Sequence, residues 1–128
     1  MMVLDTHAWI WYAAKSDRLS KPATRACEKS DMLLVPAVSV WEVAMLVTKG
    51  RLGFDRDVER WIAEALSLPR VRLEPLTPRI SIRSTRLPGG FHGDPADRII
   101  VATALEHGVS VITRDKQLRA YPHLRTVW

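Results

Sequence analysis

Short apolar runs along the chain are separated by longer stretches in which apolar residues recur at helical spacing. Val3 and Leu4 read as a strand that Asp5 and Thr6 end, and HAWIWYAA then reads as a helix. After the charged loop KSDRLS, Ser20 is placed to cap a helix from about Pro22 to Lys29, and MLLV forms a second buried strand closed by Pro36. Ser39 is expected to cap a third helix whose apolar face is Val40, Val43, Ala44, Leu46 and Val47, with Gly50 at the left-handed C-terminal position. Asp57 to Leu68 repeats the helical pattern through Val58, Trp61, Ile62, Ala65 and Leu66 until Pro69 stops it.

The second half continues the alternation. VRLEPL is a weaker strand, which Pro75 assigns to an edge or a strand end. Thr77 and Pro78 open a helix over Arg79 to Arg86, and LPGGFHG is the one segment expected to be flexible. Asp94 and Pro95 then start a helix with Ile99, Ile100, Ala102, Thr103 and Leu105 on its apolar face and Gly108 at its end. VSVIT is the clearest interior strand, followed by a short helix near Lys116 to Ala120 and an extended RTVW. Strands separated by helices call for crossover connections, so the expected fold class is α/β, a three-layer α/β/α arrangement around a central, mostly parallel sheet. One domain over residues 1–128 is the expectation for this length.

Composition narrows the class. Hydrophobic residues make up 47% of the chain, ample for one core, but no run reaches the roughly 18 apolar residues of a membrane span. Nor does a basic segment lead into an apolar one at the start, so a soluble, cytoplasmic protein without membrane contact is expected. Cys27 is the sole cysteine and reads as a buried apolar residue of the helix ATRACEKS.

Four acids stand where this fold would gather them. Asp5 ends the first strand, Glu42 lies in the helix after the second, Asp97 begins the helix before the fourth, and Asp115 follows that strand. In a parallel sheet the carboxyl ends of the strands share one edge, and Asp5 and Asp115 meet there if the first and fourth strands are neighbours. Each acid also has a local explanation. Glu42 is three residues after Ser39 and Asp97 three after Asp94, the spacing of a capping box, while Asp5 and Asp115 fit a turn and a cap. Those explanations act singly and need not select a common edge. Two carboxylates about 6 Å apart repel by roughly 3 kcal/mol at an effective dielectric near 20, so four together approach ~15 kcal/mol before screening. That rivals the whole stability of a domain, about 5–15 kcal/mol, and helix N-termini offset only a fraction of it. A divalent cation can neutralise it, and all-oxygen ligation selects Mg²⁺, with Mn²⁺ as substitute, over zinc.

The net charge is +5 despite this acidic set, which fits a basic surface that draws a polyanion towards an acidic pocket. Lys49, Arg51, Arg79, Arg83, Arg86, Arg98, Arg114 and Lys116 are the candidates, although most such residues simply solvate helix faces. His7 and His92 read first as surface or helix-start residues. Trp9 and Trp11, two apart, must point to different helix faces, Trp41 and Trp61 fit helix packing, and Trp128 completes an edge strand or meets a second subunit.

Asp5-Thr6, Ser39-Val40-Trp41-Glu42, His92-Gly93-Asp94-Pro95-Ala96-Asp97-Arg98 and Thr113-Arg114-Asp115, in this order, resemble a PIN domain, specifically a VapC-type toxin of a bacterial type II toxin–antitoxin pair. The resemblance runs over essentially the whole chain. It implies that Asp5, Glu42, Asp97 and Asp115 form an acidic catalytic quartet, with Asp5 and Asp97 as direct metal ligands and Glu42 and Asp115 as further ones. Thr6, Thr113 and Asp94 would support them. It further implies a Mg²⁺-dependent ribonuclease that arrests translation, a cognate antitoxin that blocks it, and a homodimer. Two other readings share the clustered acids: a receiver-like module taking phosphate on Asp5 or Asp115, and a DNA- or structure-specific nuclease of the same fold.

Overall fold

The computed structural model describes residues 1–128. β1 (Met2–Leu4), β2 (Leu33–Pro36), β3 (Val71–Glu74), β4 (Val111–Ile112) and β5 (Thr126–Val127) form one sheet in the order β3-β2-β1-β4-β5. Every pairing is parallel. The helices are α1 (Thr6–Ala13), α2 (Lys21–Lys29), α3 (Ala37–Thr48), α4 (Val58–Leu66), α5 (Pro78–Ser84), α6 (Pro95–His107) and α7 (Lys116–Ala120).

The two-residue period of the strands builds the layers. Val3, Leu34 and Val111 point to one face, where they pack with Ile80 of α5 and with Ile100, Val101 and Ala104 of α6. Leu4, Leu33, Val35 and Ile112 point to the other, against Trp9 of α1, Cys27 of α2, Val43 of α3 and Trp61 of α4. β1 lies between β2 and β4, so strand order reverses at β1/β4 and a crevice opens above their carboxyl ends. The expected neighbour relation of the first and fourth strands is thus present. β3 is an edge strand, as Pro75 required.

Several local expectations change. α3 begins at Ala37, directly after β2, with Pro36 at its N-cap and no side-chain cap. Ser39 therefore lies inside the helix, fully buried, and does not cap it. α4 ends at Leu66, two residues before the expected limit. Trp61 is buried and stacked on Phe54 at 4.2 Å, but Trp41 is 60% exposed and packs against nothing in the core. Cys27 is buried as expected, and burial pushes its thiol up to about 11, so it stays protonated.

The glycine-rich segment before α6 is anchored. Leu87 and Phe91 are buried, Tyr121 Oη donates to Pro88 O, and Arg98 donates to Ser84 O at 2.9 Å and Phe91 O at 2.5 Å. A Cβ on Gly93 would meet the Phe91 ring at 2.2 Å, so only glycine lets the chain fold back over that ring before Asp94. This anchoring fixes where α6 starts.

Candidate active site

Three acids arrive on loop ends and two on helices. Asp5 leaves β1 and caps α1, its Oδ1 accepting from Ala8 N at 2.8 Å, and its Oδ2 accepts from the Thr113 hydroxyl. Thr113, fully buried just past β4, also accepts from Asp115 N at 3.0 Å. One hydroxyl thereby ties the ends of β1 and β4 together. Asp115 caps α7 through Gln117 N and Leu118 N. Asp94 caps α6 by accepting from Asp97 N at 2.8 Å.

Glu42 sits on α3 facing Thr6 of α1. Thr6 Oγ1 lies 2.5 Å from Glu42 Oε1 and 2.9 Å from Ser39 Oγ. Its single proton goes to the carboxylate, which can only accept, so the Ser39 hydroxyl donates to Thr6 in turn. Ser39 positions Glu42 through Thr6 and forms no capping box with it. Asp97 also lacks the return bond of a capping box, since its carboxylate has no hydrogen-bond or ion-pair partner in the chain. The local cap explanation thus holds for Asp94 and Asp115 and fails for Glu42 and Asp97. Asp5, expected at a solvated strand-end turn, is instead the buried N-cap of α1.

The acids share one electrostatic field. Burial raises the pKa of Asp5, against hydrogen bonds from Thr113 and Ala8 that lower it. Burial likewise raises Glu42, opposed by Thr6. Asp97 is pushed up to about 7, by burial first and then by Asp94, Asp115, Glu42 and Asp5. Nothing of opposite sign compensates it, as expected where a cation is the missing partner. No three of these acids already stand in chelating geometry. Each carboxylate retains free lone pairs, however, and a donor set of carboxylate oxygens without His or Cys fits a hard divalent ion. Asp5 and Asp97, with Glu42 and Asp115 beside them, are the residues that would hold it.

The acids line a cleft of about 590 Å³ with Ile100 among its apolar contacts, and His7, Trp11, Arg18, Arg114 and Lys116 complete its lining. Arg114 and Lys116 are therefore where the charge reading put them. The other basic candidates are not. Arg79 and Arg83 pair with Glu106 at 2.9 and 2.8 Å, Arg98 is spent on the carbonyls of Ser84 and Phe91, and Lys49, Arg51 and Arg86 are exposed outside the cleft. His92 is exposed and also outside it, whereas His7 lines it. Trp11 and Arg18 were not foreseen as site residues. For Trp11 a signal existed: it follows His7 by four positions on the helix that Asp5 starts, and so shares that face.

A PIN domain family model matches residues 2–124. The chain is 40% identical over 129 residues to Ribonuclease VapC22 of Mycobacterium tuberculosis, covering 99% of this chain and 98% of that protein. Among solved structures, a toxin-antitoxin complex from Klebsiella pneumoniae has a TM-score of 0.68 at 21% identity, covering 97% of this chain and 95% of that one. DNA-bound VapBC from Salmonella typhimurium gives 0.69 at 16% identity, with coverage of 98% and 95%. At such identities the structural likeness establishes the fold, while the near full-length sequence match establishes kinship. The chain belongs to the PIN domain family, on its VapC branch.

Proposed function

We propose that this chain is a Mg²⁺-dependent endoribonuclease toxin, a homodimer that hydrolyses RNA to inhibit translation and is restrained by a cognate antitoxin. The observation that carries the reading is the unpartnered Asp97 among four further carboxylates, in a cleft at the strand-order reversal of a VapC-family fold. Kinship with Ribonuclease VapC22 supports RNA as the substrate, and likeness to toxin–antitoxin complexes supports the antitoxin. Membership of the PIN family displaces the receiver-like alternative.

When bound, Mg²⁺ supplies Lewis-acid polarisation of the scissile phosphodiester and of the attacking water. Asp5 and Asp97 would hold it. Either Glu42, oriented by Thr6, or Asp115, oriented by its cap bonds, would orient the attacking water and take its proton, the other being free to hold a second ion. Arg114 and Lys116, which line the cleft, would neutralise phosphates near the cut. No serine or cysteine nucleophile is needed.

The test is digestion of matched RNA and DNA strands by antitoxin-free protein with Mg²⁺. RNA should be cut and DNA left intact. Equal loss of both would select the DNA-directed alternative, and survival of both would end the nuclease reading.

Thr113→Val probes the scaffold of the same site. It removes the donor to Asp5 and the acceptor for Asp115 N from a fully buried position. The expected cost is about 1–3 kcal/mol of stability and a drop in kcat/KM on the order of 10- to 100-fold, since it orients a metal-holding carboxylate. Thermal melts and cleavage kinetics on the variant check both.

A further inference from the structure

Trp9 and Trp11 divide the two faces of α1. Trp9 is fully buried, its indole reaching Ala65 O at 3.4 Å, while Trp11 is half-buried and lines the acidic cleft. The guanidinium carbons of Arg18 and Arg114 lie over its ring at 5.8 and 6.0 Å from the centroid, and the His7 ring is 5.7 Å away. The Trp128 ring, just past β5, packs near the same indole with centroids 5.7 Å apart. Neither arginine is in an ion pair, although five carboxylates line the same cleft. Both side chains are exposed on their loops.

A tryptophan kept merely for packing has no need of two unpaired guanidiniums over its ring. Together they make a cationic, aromatic surface beside the carboxylates. That chemistry suits a nucleotide, whose base stacks on indole or guanidinium planes while its phosphate pairs with the charge. A base inside a duplex has both faces covered by its neighbours and cannot use such a surface. An apolar peptide side chain could also rest on Trp11, but two free cations favour an anionic ligand.

We propose that Trp11, flanked by Arg18 and Arg114, is the stacking subsite for an unpaired nucleobase next to the scissile phosphate. This rests on the nuclease reading above and names a substrate-positioning contact of that site. Arg18 and Arg114 hold the backbone of the stacked nucleotide, and the adjoining phosphodiester is thereby delivered to Asp5 and Asp97.

The probe is a short fluorescein-labelled oligoribonucleotide of mixed sequence, unpaired or annealed to its complement, with binding followed by anisotropy in an Asp97→Asn background that spares the probe. Trp11→Ala should weaken unpaired RNA by on the order of tenfold or more, while Trp11→Phe keeps a ring and stays within about twofold. Arg18→Gln, on an exposed loop where folding is not at stake, should cost a few-fold, and the duplex should bind weakly to all variants. With Asp97 restored, Trp11→Ala should raise KM and leave kcat within a few-fold. An abasic nucleotide at the stacked position should reproduce the Trp11→Ala loss in the parent and add nothing in that variant.

Parent-like affinity of Trp11→Ala, or an abasic penalty that adds fully to the substitution, would overturn the subsite. So would lost affinity for the cognate antitoxin with RNA binding intact, which would make Trp11 a partner contact. RNA cleavage by Trp11→Ala at the parent KM defeats the subsite and spares the nuclease reading. Trp11-dependent RNA binding by a chain that cuts no RNA does the reverse.

Discussion

Asp97→Asn is expected to lower RNA cleavage about a thousandfold or more and, in cation-free buffer at pH 8, to raise the melting temperature. The two effects have one cause. Asp97 is half-buried, has no partner, and faces Asp94, Asp115, Glu42 and Asp5, which together with burial push its pKa up to about 7. A carboxyl whose pKa is higher in the folded state than in the unfolded one contributes stability below the unfolded value, near 3.8, and loses it as pH rises through about 7. A rise of some three pH units corresponds to about 4 kcal/mol, and solvent screening of a half-exposed group leaves roughly half of that. Asparagine removes the charge and its pH dependence, so a gain of about 2 kcal/mol, or some 5–10 °C in melting temperature, is expected at pH 8 and little at pH 4. Asp5→Asn provides the contrast. It should lose activity to the same extent, but its carboxylate is bonded to Ala8 N and Thr113 where that of Asp97 has no partner. The hydrogen bonds it gives up offset the relief of its buried charge, so its melting temperature should rise less than that of Asp97→Asn. Melts at both pH values and cleavage assays on the two variants decide; an Asp97→Asn chain that cuts RNA at the parent rate removes Asp97 from the site.

The fold was legible because its signals are local. Asp94 with Pro95 opens α6, Gly108 closes it with φ 66°, and the alternation of apolar pairs assigns Val3 and Leu4, or Val111 and Ile112, to opposite faces. The acids were legible for a related reason: each is tied to an element end, and parallel topology turns element ends into neighbours. Failures came where a side chain's partner lies far along the chain. Ser39 has the sequence context of a cap, yet its hydroxyl meets Thr6 across 33 residues, and Pro36 starts the helix instead. Arg98, in a DPADR run, reads as a phosphate ligand, but the carbonyls of Ser84 and Phe91 claim its donors. Arg79 and Arg83 meet Glu106 from a separate helix, which the basic count could not foresee. Trp41 lies on an apolar helix and still faces solvent, because Val43 and not Trp41 occupies the core-facing side of α3.

Withdrawing divalent cations is expected to abolish cleavage altogether and to leave the chain less stable than with Mg²⁺. The donor set explains the coupling. Ionised carboxylates crowded without a counter-charge raise the energy of the cation-free fold, and an ion that binds the folded chain alone recovers it. At a hundredfold excess over its dissociation constant, Mg²⁺ adds about 2.7 kcal/mol, several degrees in a melt. Because Asp97 titrates at about 7 without metal, binding near pH 6 must displace its proton. Affinity should therefore weaken by at least about tenfold per pH unit below 7, since the raised Asp5 and Glu42 carboxyls add to the loss. Cleavage at limiting Mg²⁺ should follow the same curve, and saturating Mg²⁺ should restore part of the acid-side loss. Calorimetry at pH 6 in buffers of different ionisation enthalpy should register proton release on ion binding, and less of it for Asp97→Asn, with Asp5 and Glu42 supplying the remainder. Mg²⁺ affinity identical at pH 6 and pH 8, or full activity in excess chelator, would mean that the carboxylate cleft does its work without a cation and that Asp97's unpartnered charge has some other purpose.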